Sequence, residues 1–185
     1  MPNILLTAPA AEPLTLAEAK AFLRVEHADD DALIAALIAG ARGHVEARTR
    51  RGLITQSWRI VRDAWPPDGR IAAPLAPLRQ VTAARVYDLG GVARAVDTQA
   101  FIVEPETIAL VPWAITQPGR IAAGIEIDVT IGYGVAAADV PEPLRQAIRL
   151  LLAHWYENRG VVAREGVALP ANVEALLAPY RVLAL

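Results

Sequence analysis

The densest group of chemically capable side chains is the stretch HWYENRG at residues 154–160. His154 and Glu157 are three positions apart, so on a helix they share a face and could act as a general base or as metal ligands. A zinc site needs at least three protein ligands, whereas the chain has no cysteine and its three histidines show no HxxxH or HExxH spacing. The cluster therefore favours a structural or interface role. A small hydrolase or lyase that uses His154 and Glu157 is kept as an alternative.

No other pattern in the sequence indicates catalysis or a bound cofactor. Asp29–Asp31 lacks the alternating ligands, central glycine and closing glutamate of a calcium loop, and acidic residues are typical of a helix N-terminus. The glycine turns at 88–91 and 132–134 do not open a helix in a GxGxxG pattern. Ser57 is the only serine, which leaves no basis for a serine hydrolase. We therefore predict no catalytic residue, no metal site and no cofactor.

Charge is distributed unevenly along the chain, although the net charge is only −2. Residues 1–40 carry six acidic and two basic side chains, and residues 41–62 carry six basic side chains and one acidic one. The small net charge argues against binding nucleic acid through an overall positive field. The arginines of the second segment could contact phosphate, so a DNA-binding packaging accessory is a second alternative. Around a helix, however, Arg48, Arg50 and Arg51 point in different directions, which favours helix-dipole compensation and subunit contacts.

Two helices are predicted before residue 54. Thr15 and Glu18 form a capping-box pattern that predicts a short helix from about 16 to 24. A longer helix runs from the acidic triplet to Gly52, with arginines near its C-terminal end. The apolar residues of the longer helix fall within one arc and predict a core-facing stripe of Leu33, Ile34, Leu37, Ile38, Ala41 and Val45.

From residue 55 the apolar pattern changes from a helical to an alternating period. Short runs separated by proline and glycine turns predict five or six antiparallel strands. Pro141 then marks the first turn of another helix. We predict an α+β fold in one domain, a small helical bundle with an inserted antiparallel β unit: an N-terminal helix pair at 13–54, the β unit at 55–134, a closing core helix at 139–160 and a C-terminal tail at 161–185.

Neither a signal peptide nor a membrane span is expected. The N-terminal stretch MPNILLTAPAAEP has no basic residue and only a short apolar run, unlike a secretory signal. The longest apolar run, ALIAALIAGA, is about half the length of a membrane span. We expect a soluble protein that is cytoplasmic when made and has no membrane partner.

Four stretches, in this order, carry a resemblance to a known family: PLTLAEAKAFLRVEHADDDALIAALIAGARGHVEARTRRGL, LAPLRQVTAARVYD, VTIGYGVAAADVPEPLRQAIRLLLAHWYENRG and ALPANVEALLAPYRVL. They resemble the opening helix pair, the β segment, the closing strand and helix, and the C-terminal segment of head–tail connector proteins. These connectors, or adaptors, belong to long-tailed phages and to gene transfer agents. The likeness extends from about residue 13 to residue 183.

The resemblance implies a structural virion protein rather than an enzyme. Members of this family form a ring, typically of twelve subunits, that docks under the portal protein at the capsid vertex. The ring receives a tail-side stopper or terminator protein, and double-stranded DNA passes through its bore. The expected location is therefore the head–tail junction of a virion or gene transfer agent particle.

Ring contacts are expected to use the opposite charges of the two N-terminal segments and the last turn of the closing helix. Aromatic and arginine side chains concentrate binding energy at interfaces. The predicted subunit interface consists of Asp29, Asp30, Arg48, Arg50, Arg51, Tyr156, Glu157 and Arg159.

The C-terminal tail is predicted to dock onto the portal. Its apolar residues recur at helical spacing and would form an uncovered stripe unless a partner binds them. An aromatic residue and an arginine follow as an anchor pair. The predicted docking residues are Val173, Leu176, Leu177, Tyr180 and Arg181. A tail folded back on its own subunit is the alternative.

Overall fold

A computed structural model of the chain describes residues 3–158 and 170–182. The helices are α1 Leu16–Leu23, α2 Asp31–Thr49, α3 Glu142–Glu157 and α4 Ala171–Leu177. The strands are β1 Asn3–Thr7, β2 Gln56–Arg62, β3 Arg70–Ala72, β4 Leu78–Tyr87, β5 Ala93–Val96, β6 Phe101–Val103, β7 Thr107–Leu110 and β8 Ile125–Ile131. The predicted α+β class is confirmed. Within the described ranges, no helix is both long and apolar enough to cross a membrane.

The chain divides into two compact units. The β unit comprises Met1–Ala10 and Thr55–Gly132, and the helical unit comprises Ala11–Ile54 and Tyr133–Leu185. The β unit is therefore inserted between the second and third helices, as the sequence indicated, and it also contains the N-terminal strand. The prediction that all segments make one domain stays a prediction.

Two antiparallel sheets form the β unit, with strand orders β1-β2-β8-β4-β5 and β3-β7-β6. The central strand β8 has the sequence IEIDVTI, and its alternate residues Ile125, Ile127, Val129 and Ile131 are completely buried. Alternation along a strand places one set of side chains on the core face and the other set on the opposite face. This strand therefore anchors the apolar core of the β unit.

The opposite face of the same sheet carries a network of charged side chains. Arg59 holds Asp128 with two hydrogen bonds, Nε to Oδ1 at 2.6 Å and Nη2 to Oδ2 at 3.0 Å. Arg85 also donates to Asp128, and Tyr87 donates its hydroxyl proton to Glu126 at 3.0 Å. Burial acts to raise the pKa of Asp128, but the hydrogen bonds and charges of the two arginines outweigh burial and lower that pKa. The network joins β2, β8 and β4 across the sheet.

Seven strands, β2 to β8, lie within residues 55–134, where five or six were predicted, and a further strand before the first helix was not expected at all. Residues Asn3–Thr7 form β1, which pairs antiparallel with β2 from Asn3 opposite Ile60 to Thr7 opposite Ser57. Five residues with no flanking turn pattern gave too short a signal to distinguish a strand from an irregular N-terminus. The β unit consequently takes strands from both sides of the first two helices.

The helical unit starts with the predicted capping box. The Thr15 hydroxyl accepts a hydrogen bond from the Glu18 amide, and Glu18 accepts hydrogen bonds from the Thr15 amide and hydroxyl. The hydrogen bonds from Thr15, together with the nearby charge of Arg145, lower the pKa of Glu18. The carboxylate of Glu18 also lies 2.7 Å from the Arg145 guanidinium, so the cap connects α1 to α3.

The apolar stripes of α2 and α3 pack together in one core. Ile34, Ile38, Ala41 and Val45 of the predicted α2 stripe are buried, whereas Leu37 is half-buried and Leu33 lies at the exposed edge. On α3 the buried residues are Leu144, Ala147, Ile148, Leu151 and Leu152. The predicted stripe of α2 is thus confirmed except at its rim.

The C-terminal helix α4 is part of this same core. Val173 and Leu177 are completely buried, and Leu176 and Tyr180 pack against the cluster from its edge. The amide of Val182 donates to the Thr49 carbonyl at 3.0 Å. The expectation of an uncovered apolar stripe is therefore wrong, because the stripe is covered by its own subunit. Val173 and Leu177 cannot reach a partner while α4 stays in this position.

We expect Leu177→Ala to reduce the free energy of unfolding by about 2–5 kcal/mol, because the substitution leaves a cavity in a closed core. Leu33→Ala, the same substitution at the exposed rim of α2, should cost about 1 kcal/mol or less. Chemical denaturation of both variants measures the difference. Equal losses would show that α4 contributes nothing to the core in solution.

We expect Asp128→Asn to reduce the free energy of unfolding by about 1–3 kcal/mol near neutral pH, since two arginines lose a charged acceptor. Because the folded-state pKa of Asp128 is lowered, its contribution is present above the ordinary aspartate pKa of about 4 and is lost as pH falls below that value. The gap between wild type and variant should therefore narrow in acid. Asp29→Asn is the exposed control, and a pH-independent gap for Asp128→Asn would contradict this assignment.

Candidate assembly interface

The two ends of α2 present opposite charges to solvent. At the N-terminal end the Asp29 side chain is 93% exposed, with its carboxylate 3.7 Å from the ring of His27. At the C-terminal end Arg50 is exposed and takes the left-handed C-cap conformation, with φ of 56°. The sequence predicted both residues as interface residues, and both remain accessible to a partner.

Other residues predicted for the interface make bonds within the chain. Tyr156 donates its hydroxyl proton to Asp30, which joins α3 to the start of α2. Arg48 lies 2.8 Å from Glu174, and the Nε of Arg51 donates to the Tyr180 carbonyl at 2.6 Å. Glu174 also pairs with Arg181, one of the residues predicted for docking. These side chains hold the C-terminal tail and α3 onto α2, a role that the sequence did not indicate.

The remaining arginines of residues 42–62 are also engaged inside the chain. Arg42 pairs with Glu12 at 2.7 Å and with Glu46 at 2.8 Å. Glu46, in turn, accepts a hydrogen bond from the Leu53 amide at 2.9 Å, so it caps the turn that leaves α2. Burial acts to lower the pKa of Arg42, but its two carboxylate partners outweigh burial and raise it. Arg62 donates to a carbonyl at 2.8 Å, and burial lowers its pKa.

The C-terminal end of α3 packs against other parts of the helical unit. Trp155 lies edge-on to His44, with ring centroids 5.9 Å apart, and Asn158 caps the helix by donating to the His154 carbonyl at 2.7 Å. Glu157 is exposed, and Arg159 lies outside the described residues. Across residues 3–158 and 170–182, no group of three His, Asp or Glu side chains could hold a metal ion.

Large apolar side chains are exposed at several places on the β unit that sequence reasoning missed, and Ile102 and Trp113 are among them. Ile4, Leu5 and Leu6 are exposed on the edge strand β1. Leu89 is 87% exposed in the β4–β5 turn, and Ile121 is 94% exposed in the loop before β8. Leu89 and Ile121 are isolated apolar residues within loop sequences, and this could have marked them as exposed. A sequence pattern alone, however, does not separate an exposed apolar residue from a core residue.

Comparison with known proteins gives a consistent result. Residues 13–84 match the family described as phage gp6-like head-tail connector protein. Three solved chains share 29%, 29% and 27% sequence identity with this chain, with TM-scores of 0.82, 0.81 and 0.77. They come from the neck of an empty gene transfer agent particle with C6 symmetry, the virion of a native particle, and the neck of a native particle with C12 symmetry. Each likeness covers 100% of this chain and 97% of the solved chain.

No curated protein matches the chain. The family and the solved chains are structural proteins of connectors and necks, so the prediction of a structural protein rather than an enzyme is confirmed. The family match spans α1, α2, β2, β3 and most of β4, and the structural likeness spans both compact units. The chain therefore resembles phage gp6-like head-tail connector proteins over residues 13–84, and over its full length it has the fold of gene transfer agent neck chains.

Proposed function

We propose that the chain forms a ring adaptor at the head–tail junction of a virion or gene transfer agent particle, between the portal protein and the tail. The full-length likeness to neck chains, one of them from a particle with C12 symmetry, carries this proposal. Twelve copies would form the ring, and a stopper or terminator protein would bind its tail side. Double-stranded DNA would pass through the bore.

Charge at the ends of α2 supports one contact between neighbouring copies. A head-to-tail ring needs two different patches on each subunit that match each other. Asp29 and Arg50 flank the 19 residues of α2, so they are separated by about 28 Å at 1.5 Å per residue. This distance is too long for a pair within one chain. In the proposed ring, the Arg50 end of one α2 meets the Asp29 end of the next.

We still propose that the C-terminal tail docks onto the portal, but through a different face of α4 from the one that the sequence suggested. Val173 and Leu177 are buried, whereas Ala175, Ala178 and Arg181 are exposed. The exposed side of α4 and the residues that follow it would therefore face the portal. Leu176 and Tyr180 are partly covered and could contribute through their exposed edges.

Because most arginines of residues 42–62 pair with groups of the same chain, they support a ring through which DNA passes rather than a site that binds DNA tightly. A protein that neutralises several phosphates releases counterions, and its affinity then falls steeply with salt. Arg42, Arg48 and Arg59 are already neutralised by carboxylates of the same chain. A steep salt dependence of binding to duplex DNA by the purified chain would instead favour the alternative of a DNA-binding packaging accessory.

The direct test mixes the purified full-length chain with the portal protein of its own particle and examines the mixture by negative-stain electron microscopy. We expect a ring with twelvefold symmetry attached to one end of the portal, and co-sedimentation of the two proteins. A chain that stays monomeric and does not co-sediment with the portal would contradict the proposed function.

We expect Arg50→Glu to weaken ring assembly at least tenfold in concentration while the subunit stays folded, because like charges then meet at the contact. Combining it with Asp29→Arg should restore assembly, since the pair is reversed as a whole. Arg24→Glu is a matched control, because Arg24 is also an exposed left-handed C-cap, at the end of α1. Normal rings from Arg50→Glu, measured by analytical ultracentrifugation, would remove this contact from the proposal.

A further inference from the structure

The largest sheet of the β unit has two free edges among the described residues. β1 forms one edge and pairs only with β2, while β5 forms the other and pairs only with β4. Natural proteins protect such edges with charge, proline or a covering element. β1 has the sequence NILLT, which carries neither charge nor proline, and all five of its residues are exposed. This edge therefore needs a cover that the described part of the chain does not supply.

Exposed apolar side chains also mark the other side of the sheet. Leu89 and Val92 lie in the turn between β4 and β5, and both are exposed. Ile121 lies in the adjoining loop, which is held against the turn by a hydrogen bond of 2.8 Å from the Gly119 amide to the Tyr87 carbonyl. Gly119 packs so closely on Leu89 that a Cβ at this position would lie 2.5 Å from the Leu89 nitrogen. The two loops thus present their apolar residues from one fixed corner.

Two arginines border this corner, and each has a contact within the β unit. Arg94 of β5 lies 3.4 Å from Asp88, and Arg120 stacks over the Tyr87 ring at 5.1 Å from its centroid. These two arginines are directed to partners of the same unit, although the Arg94 side chain stays 67% exposed. The apolar residues of the corner need an apolar counterpart, and β1 offers one that carries no charge.

We propose that the apolar corner of one copy, Leu89, Val92 and Ile121, packs against the β1 edge of the next copy in the ring. This inference rests on the proposed ring function, because only a head-to-tail ring brings opposite sides of identical subunits together. The two patches lie on opposite sides of one sheet, as that arrangement requires. Single exposed apolar residues are common, but two opposed groups of the same chemistry on one subunit indicate a contact between copies.

The contact is made by side chains rather than by joining the two sheet edges into one sheet. Adjacent strands twist by about 20–25°, so β1 and β5 of one copy differ in direction by roughly 80–100° over four steps. Neighbours in a twelvefold ring are rotated by only about 30° relative to each other, and this rotation leaves the two edge strands far from alignment. Hydrogen bonding along both strands is therefore excluded, whereas packing of Leu89 and Ile121 onto Leu5 is not.

The absence of cysteine from the chain allows a direct cross-linking test. Leu5→Cys and Leu89→Cys are introduced together, and rings assembled on the portal are oxidised. Within one copy these positions are separated by three strand spacings, about 14 Å, and also by eight residues along the strand direction, because Leu5 is in register with Val81. A disulfide needs Cβ atoms within about 4.5 Å. We therefore expect a ladder of covalent multimers on non-reducing gels, up to the closed ring. Each single cysteine variant should give at most dimers.

The control pair is Leu5→Cys with Ile102→Cys, because Ile102 is an exposed apolar residue of the second sheet. It should give no ladder. Rings that assemble normally but show no ladder from Leu5→Cys with Leu89→Cys would overturn this inference and leave the proposed function intact. A wild-type chain that forms no ring with the portal would overturn both.

Leu89→Ser with Ile121→Ser provides a second readout that does not depend on disulfide geometry. Both side chains are exposed, so the thermal unfolding midpoint should stay within a few degrees of wild type. We expect the concentration needed for assembly to rise at least tenfold, and the change should persist at high salt, where contacts between charges weaken. An unchanged assembly concentration would contradict the proposed apolar contact.

Discussion

Packing between α2 and α3 is the interaction on which the helical unit depends. The apolar stripes of the two helices meet in one core, to which α1 and α4 also contribute, and the β unit separates the two helices in sequence. Closing this core requires residues 11–54 and 133–182 to meet after a long excursion of the chain. The capping box of α1, the Tyr156–Asp30 hydrogen bond and the arginine contacts of the tail all reinforce the same closure. Most polar contacts that looked like interface chemistry in the sequence serve this packing.

The sequence predicted those features of the helices that depend only on residues a few positions apart. Thr15 and Glu18 gave the start of α1, and the spacing of Ile34, Ile38 and Val45 gave the buried face of α2. Such signals depend only on helix geometry and on hydrogen bonds three or four residues long. The α+β class followed from the change of period at residue 55 for the same reason.

Features that depend on distant residues could not be predicted in this way. Asp128 is bound by side chains 69 and 43 positions away, so the residues near it in sequence do not indicate the charged network. The stripe of α4 was read correctly as apolar, but its spacing does not tell whether the cover is the same subunit or a partner. Arginine accounts for 17 of the 18 basic residues, and its forked geometry suits both internal carboxylates and external phosphates. Only the structure separates these uses, residue by residue.

The insertion of the β unit also has a kinetic consequence for a newly made chain. During synthesis α2 emerges early, but its apolar stripe stays uncovered until α3, which begins at Glu142, leaves the ribosome. At about 5–20 residues per second, this interval lasts roughly 5–20 s. β1 likewise waits for β2, which lies beyond both early helices. Contacts between residues so far apart make folding slow, and exposed stripes favour aggregation meanwhile. A connector made in many copies at once would therefore be most vulnerable before its C-terminal half exists.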